Sequence, residues 1–538
     1  MKKFISPVLA GFLLIACLSG IYSCMKDMKL KKIAGVEWNP TLAVPLIYSN
    51  ITVKDILYAA DKSNAFSIDA NNFVTLIYKG NLLSLSADEV LNFQDLSTFF
   101  DTTLSPADVA LLNVSGVTIV MNETITLPMT GNSRADSLFL KKGTLTASIS
   151  SFLPNSGSLT ISVPSSVPVM SITLPFSYSG SSPVVATDSI SLAGAEFILN
   201  PVNQLPVTFA LTLNSSATPA TTFDNVHIDF SINGIKFSKL FGYIDQQILS
   251  PYSDTVAVDI FNNSLGGGTF TLVDPKMFVY ISNSYGVPIQ ANFDIFQGYN
   301  INRTPTTFDI LGPGIPNPLP INSPGITQVG QSVSSTFALT KDNSNIVSVI
   351  DDTPPYIIYK VFSKSNPSGP PTPPNTNFVL DSSNFKVDIE IQLPLWGTAR
   401  GFTLQDTLEN FSLPDAENID FFLLRLHVEN GYPCDVKVQV YFADENYSRL
   451  DSLITSAVPV ILISADVDGN GVVTGPPKVK DLDFLIEKER MAQLTAMKHV
   501  LVRGDAYSTN NAQTNVKIYA NYRLFLKLGA KTKLHLKL

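Results

Sequence analysis

The sequence predicts a mainly β protein, built as several antiparallel β-sandwich modules with a few short helices. Three observations carry that expectation. Apolar residues alternate at period two, as in Leu159-Ile161-Val163, Phe278-Tyr280, Phe422-Leu424-Leu426-Val428 and Val436-Val438-Val440-Phe442, the pattern of a strand with one face buried. Charged residues are only 15% of the chain, which carries 35 Pro and 33 Phe, a composition suited to sheets and turns rather than long helices. Finally, one turn pattern recurs three times at module-sized intervals.

That turn is an internal echo. Ile161 to Pro168, Ile281 to Pro288 and Leu426 to Pro433 each place an apolar residue seven positions before a proline, and a new alternating strand follows. Gly286 and Gly431 free φ at the bend, while the proline cannot donate to a ladder and so marks a change of strand. The prolines lie 120 and 145 residues apart, the size of an Ig-like sandwich domain. The same echo would also arise from hairpin chemistry that many sheets share.

Helical patterns are few. Thr52 to Ala60 opens on an N-cap residue, Asp88 to Phe93 allows a turn or two, and Glu487 to Met497 sets Met491, Leu494 and Met497 along one face. Proline-rich breaks at Gly312 to Pro324 and Asn366 to Pro374 read as stiff exposed loops.

The N-terminus reads as an export signal. Lys2 and Lys3 precede an apolar run from Phe4 to Ala16 that is too short for a comfortable membrane span. Two cysteines fit an acylation box. Cys24, followed by the polar Met25-Lys26-Asp27, is preferred because cleavage there leaves no apolar remnant; Cys17 is the alternative. A multiply acylated cysteine anchors stably. The expected layout is a signal peptide at 1–23, an N-terminal β-rich region with short helices at 24–115, a sandwich at 116–250, a sandwich with Pro-rich loops at 251–415, and a C-terminal sandwich with one short helix at 416–538. Besides the two signal-region cysteines there is only Cys434. Acylation of Cys24 thus leaves no intrachain disulfide, and stability must come from the cores.

Catalytic fingerprints do not appear, so no enzyme and no cofactor are expected. The four histidines, His227, His427, His499 and His535, are scattered without metal spacing. Nucleophile-elbow, P-loop and dinucleotide motifs are lacking. Asp466, Asp468 and Asn470 open like a calcium loop, but position twelve is Pro477 where a bidentate Glu belongs. A hairpin turn at Asp468-Gly469 and Asn470-Gly471 is therefore preferred over a metal site. The net charge of −9 argues against nucleic acid as a partner.

Two surface features are candidates for function. Six Asp-Ser/Thr triplets, centred on Thr102, Ser137, Ser189, Thr255, Thr407 and Ser452, look like the O-glycan acceptor triplet of Bacteroidota-type envelope proteins. The structural alternative is an Asp ending a turn before a β-favouring pair. Near the C-terminus, Lys517, Arg523, Lys527, Lys531, Lys533 and Lys537 alternate with apolar residues. They suggest a basic face for anionic headgroups or an acidic partner; the preferred reading is the solvated side of a closing strand, bent near Gly529.

With the signal, Trp38-Asn-Pro-Thr-Leu-Ala-Val-Pro-Leu and the Gly-x-Pro turns in view, the chain resembles the large, uncharacterised outer-membrane and surface lipoproteins of Bacteroidota-type bacteria. Over about 20 residues each, the turns are similar to those of the water-stress and late-embryogenesis β-sandwich domain. The resemblance implies an outer-membrane address, with the membrane reached through the lipid and other envelope proteins as partners; Lys26-Asp27 leaves cell surface and periplasmic face both open. The expected function is a non-catalytic lipoprotein acting as scaffold or accessory subunit of an envelope assembly. A surface glycan-binding lipoprotein of a nutrient-uptake system and an envelope lipid carrier are the alternatives.

Overall fold

The computed structural model describes residues 37–55, 65–91, 93–129, 131–258, 261, 269–372, 376–409, 419–454, 460–534 and 536–537. The signal segment, Cys17 and Cys24 lie outside these residues. Two compact units are present. One takes its described residues from Met1–Asp61 and Thr398–Leu538, the other from Lys62–Ser264 and Thr269–Gly397. The protein is mainly β, with antiparallel sheets stacked as sandwiches and a few short helices.

Two long strands stand early among the described residues, β1 (Thr41–Thr52) and β2 (Val74–Ser86), each of which pairs with strands far along the sequence. It then builds a first sandwich from β3 (Leu96–Thr103), β4 (Val117–Thr126), β5 (Arg134–Ser151), β6 (Gly157–Val163), β7 (Ser166–Val167), β8 (Met170–Phe176), β9 (Val184–Ser191), β10 (Glu196–Ile198), β11 (Gln204–Leu213) and β12 (Asn225–Tyr243). Helix α1 (Pro106–Leu112) starts on Ser105, whose hydroxyl accepts from Asp108 N at 3.2 Å. One sheet has the order β8-β6-β11-β4, and its partner contains β12-β5-β10-β7 with β3 and β9 alongside. Phe209 on β11 closes the space between them, 4.8 Å from Phe100 and 6.0 Å from Phe230 in the facing sheet.

The second sandwich takes β2 together with β13 (Ile248–Ala257), β14 (Lys276–Asn283), β15 (Ile289–Tyr299), β16 (Thr307–Asp309), β17 (Leu319–Ile321), β18 (Val333–Leu339), helix α2 (Ile346–Asp351), β19 (Tyr356–Ser365), β20 (Asn377–Leu380) and β21 (Asn384–Pro394). Of these, β20 crosses over to pair with β12 of the first sandwich. The two sheets run β18-β14-β21-β2 and β13-β19-β15-β16, with β17 also on β15. Buried Tyr359 spans them, its hydroxyl donating to Asn81 and Leu82 carbonyls at 3.4 Å.

The third sandwich takes β1 with β22 (Trp396–Glu409), β23 (Ile419–Asn430), β24 (Cys434–Ala443), β25 (Arg449–Ser452), β26 (Lys478–Glu487), helix α3 (Lys488–Gln493), β27 (His499–Ser508) and β28 (Arg523–Leu534). Its sheets run β26-β23-β28-β1 and β22-β27-β24-β25. Phe422 and Leu424 from one face meet Phe442 and Val500 from the other, and Met491, Leu494 and Met497 plug the end. The helix stops at Gln493, and Leu494 and Met497 enter the core from the turns that follow.

Among the described residues, the three sandwiches share one wiring. In each, seven strands taken in chain order lie with the fifth, third, seventh and first in one sheet and the second, sixth and fourth in the other. These are β4 to β8 with β10 and β11; β2, β13, β14, β15, β18, β19 and β21; and β1, β22, β23, β24, β26, β27 and β28. In the second and third sandwiches the recurring turn lies between the third and fourth strands and carries the chain from one sheet to the other. In the first, the two-residue fourth strand β7 falls inside Ile161 to Pro168, and the chain then returns to pair β8 with β6 in the same sheet.

Two sequence details are corrected. Phe278 and Tyr280 form the outward face of β14, stacked at 6.0 Å, while Met277, Val279 and Ile281 are buried; when both faces of a strand are apolar, alternation does not tell inside from outside. The C-terminal pattern breaks at residues 518–522, where Tyr522 N bonds Tyr519 O, and not at Gly529. Opposite Gly529 the irregularity lies in the partner strand, between Pro45 and Ile47.

Candidate binding groove

The site grows out of one irregular strand. On one side β15 pairs with β19, but its register slips between Phe293 and Ile295, so Asp294 is an extra, bulged residue. Such bulges re-aim side chains and recur beside functional sites. On the other edge, β17 covers Ile289 to Ala291 and β16 covers Gln297 to Tyr299, leaving a gap over residues 292–296. A side chain fills the missing ladder: the Asn317 amide accepts from Phe293 N at 3.1 Å and donates to Phe293 O at 2.9 Å. Ile310 N donates to Phe296 O at 2.9 Å.

The gap is a groove of about 480 Å³ lined by Phe296, Asp294, Asp309, Leu311, Pro313 and Asn317, among others. Phe293 and Phe296 stack at 5.0 Å with a 28° tilt. Asp309 Oδ1 accepts from Gln297 at 2.6 Å, and Asp294 pairs with Lys360 at 2.6 Å. Both charged lining side chains are acids.

The rim is tied down. Asn345 accepts from Leu311 N through its side chain at 2.8 Å, donates from its side chain to Asp309 O at 2.8 Å, and donates from its backbone to Leu311 O at 3.0 Å. Gly312 has φ +146°, and a Cβ there would lie 2.3 Å from Asn343 O, so only glycine lets the loop approach so closely. The groove is formed before any ligand arrives, which lowers the ordering cost of binding.

The expected site residues fall elsewhere. Asp468 Oδ1 accepts from Asn470 N and Val472 N, both at 2.9 Å, and Val467 bridges Val473, which makes a tight turn of this segment. Those bonds hold the Asp468 carboxyl below its usual range. Asp466 pairs with Lys478 at 2.6 Å. Five of the six Asp-Ser/Thr triplets sit within strands rather than at strand starts, and Asp451-Ser452-Leu453 runs off the end of β25. Ser189 and Thr255 are exposed, Thr102, Ser137 and Thr407 are half-buried, and Ser452 is buried.

The basic residues do not form one face. Lys517 belongs with the opposite sheet, through the short strand Val516–Lys517, and Lys537 lies on a two-residue strand paired with Glu37–Trp38. Arg523, Lys527, Lys531 and Lys533 lie on β28 beside β23 and, beyond it, β26, whose outward residues bring Glu429, Asp481, Asp483 and Glu487. Neighbouring strands set the charge of a face, and that information is not in one strand's own alternation. Lys527 lies over the rings of Tyr48 and Phe525, at 5.5 and 5.0 Å.

Two histidines repeat one arrangement. His227 bonds Asp101 at 2.8 Å and Asp229 at 3.2 Å; His427 bonds Asp481 at 2.7 Å and Glu429 at 3.4 Å. In both, the carboxylate across the strand, aided by the second acid, raises the imidazole pKa. Because each acid takes a different ring nitrogen, the three groups do not converge on one point where a metal could sit. His499 is buried and stacks on Tyr447 at 4.1 Å; His535 lies outside the described residues. Burial pushes the half-buried Cys434 thiol up to about 12, the state of a packed rather than a nucleophilic cysteine. Groups of three or more His, Cys, Asp or Glu able to hold a metal are absent among the described residues.

No family model and no curated protein matches the chain. Solved structures give distant likenesses. A secreted protein from Parabacteroides distasonis shares 12% identity and covers 55% of this chain and 88% of its own, with a TM-score of 0.29. A structure of infectious bursal disease virus, Gx strain, shares 10% identity over 80% of this chain and 76% of that one, at 0.15. The major capsid protein P2 of bacteriophage PM2 shares 8% identity over 55% and 97%, at 0.10. At these scores the likenesses carry no argument about function.

Proposed function

We propose that this is a non-catalytic outer-membrane lipoprotein that works by recognition, as a scaffold or accessory subunit of an envelope assembly, of the kind that Bacteroidota-type lipoproteins represent. The observation that carries the reading is the preformed groove over the β15 bulge, held open by Asn317 and Asn345. A rigid scaffold with a shaped, solvent-open recess is the arrangement expected of a binder. The lipid-carrier alternative draws no support from the second sandwich, where two apolar voids measure about 10 and 30 Å³, room for a water molecule but not for an acyl chain.

Extraction in gentle detergent, followed by identification of co-purifying molecules, tests the reading. A partner or ligand retained by the wild type and lost when the groove is filled by Asn317→Trp is expected. Recovery of the bare chain in both cases would contradict it.

A further inference from the structure

We propose that the groove over β15 binds an uncharged carbohydrate ring, an inference that rests on the recognition reading and names its ligand class. Four features of the recess select that chemistry. The stacked Phe293 and Phe296 rings, with Leu311 and Pro313 beside them, offer an apolar surface at the scale of a sugar's C–H face. Asp294 and Asp309 stand at its margin, each steadied by a fixed neighbour, Lys360 or Gln297. A carboxylate with two acceptor oxygens suits adjacent hydroxyl groups, and bonds to an ionised acceptor are stronger than neutral ones.

The sign of the lining disfavours an anionic ligand such as a phosphate or an acidic sugar, since both charged lining residues are Asp and Lys360 offsets only Asp294. The backbone excludes an added peptide strand. The edge amide and carbonyl of Phe293 are already held by Asn317, and the Phe296 carbonyl by Ile310, so strand addition has no free ladder to join. The volume of about 480 Å³ falls within the range of small-molecule sites.

The test is methyl-detected NMR on the full chain, following Ile310, Leu311 and Ile315 at the groove, during titration with neutral oligosaccharides. A matched acidic oligosaccharide and a short extended peptide serve as the other arms. The expected result is saturable movement of these methyls with at least one neutral oligosaccharide. Asp309→Asn, which keeps size and shape, should weaken that binding about tenfold, the loss expected for one charge-assisted hydrogen bond. Phe296→Leu should weaken it as well, by removing the ring surface. If only the peptide or the acidic sugar moves the methyls, the assignment of an uncharged carbohydrate is overturned while the recognition reading stands. Silence from every arm, in a chain whose unfolding transition is intact, overturns both.

Discussion

Tyr285 and Tyr432 make the same hydrogen bond at the same point of two sandwiches. Tyr285 donates its hydroxyl to Leu85 O on β2 at 3.2 Å, and Tyr432 donates to Ile51 O on β1 at 3.0 Å. Each follows by two residues a buried asparagine at the end of the third strand, Asn283 or Asn430, whose side-chain oxygen accepts the tyrosine's own N–H at 2.9 or 3.0 Å. The pair of bonds pins the sheet-to-sheet bend to the sandwich's first strand. Burial raises the Tyr432 phenol far above its usual pKa, so it stays a donor at any ordinary pH.

The first prediction follows directly. Tyr285→Phe and Tyr432→Phe should each cost about 1 kcal/mol, the net worth of one such hydrogen bond. The two sites share no partner, so the double variant should show the sum. Denaturant midpoints of the three variants measure this; a double variant no worse than either single would mean that the bonds are idle.

A buried asparagine pair joins the first and second sandwiches. Asn366 donates to Asn377 Oδ1 at 2.8 Å and to Ile244 O, while Asn377 accepts from Ile244 N at 3.1 Å and donates to Gly286 O at 3.2 Å. Both are almost fully buried. Asn377→Ala strands several polar groups at once, each costing about 1–3 kcal/mol. A loss of about 3 kcal/mol or more is expected from equilibrium unfolding, well above the cost of the tyrosine changes.

Gly286 depends on its neighbour. A Cβ there would lie 2.2 Å from the Phe378 ring, and Phe378 is fully buried. Gly286→Ala should destabilise by about 1–3 kcal/mol through overpacking. Phe378→Leu should cost less in the Gly286→Ala background than in the wild type, and thermal unfolding of the wild type and the three variants reads that coupling.

The clasped histidines predict a pH dependence of defined sign. Their folded pKa values lie above the ordinary 6.5, so the protonated ring binds its acids better than the neutral one. The stabilisation is complete below the unfolded value and is lost as pH rises from there through the raised folded values. In the double variant His227→Gln, His427→Gln, that part of the fall in urea midpoint between mildly acidic and mildly alkaline pH should disappear. An unchanged profile would show that the clasps contribute nothing.

The sandwich class and the proline-marked strand ends were legible in the sequence, because alternation and proline are local signals, whereas the helix expected over Glu487 to Met497 ends at Gln493, and Leu494 and Met497 reach the core from turns. The nesting was not. β1 and β2 belong with strands hundreds of residues later, and no local pattern names a distant partner. The groove was half legible. Its rim falls inside the proline-rich stretch from Gly312, yet Asn317 matters because its amide imitates a strand, a role visible only when the edge it fills is known. The charge of the C-terminal face was not legible for a similar reason, since the acids that share it with the lysines come from β23 and β26.

Native mass spectrometry of the protein released from envelopes under mild conditions is the most direct test of a tethered, recognising molecule. The account predicts a mature chain beginning at an acylated Cys24 and carrying a bound ligand or partner that Asp309→Asn or Asn317→Trp releases. An unacylated chain with no bound mass in wild type and variants alike would contradict it.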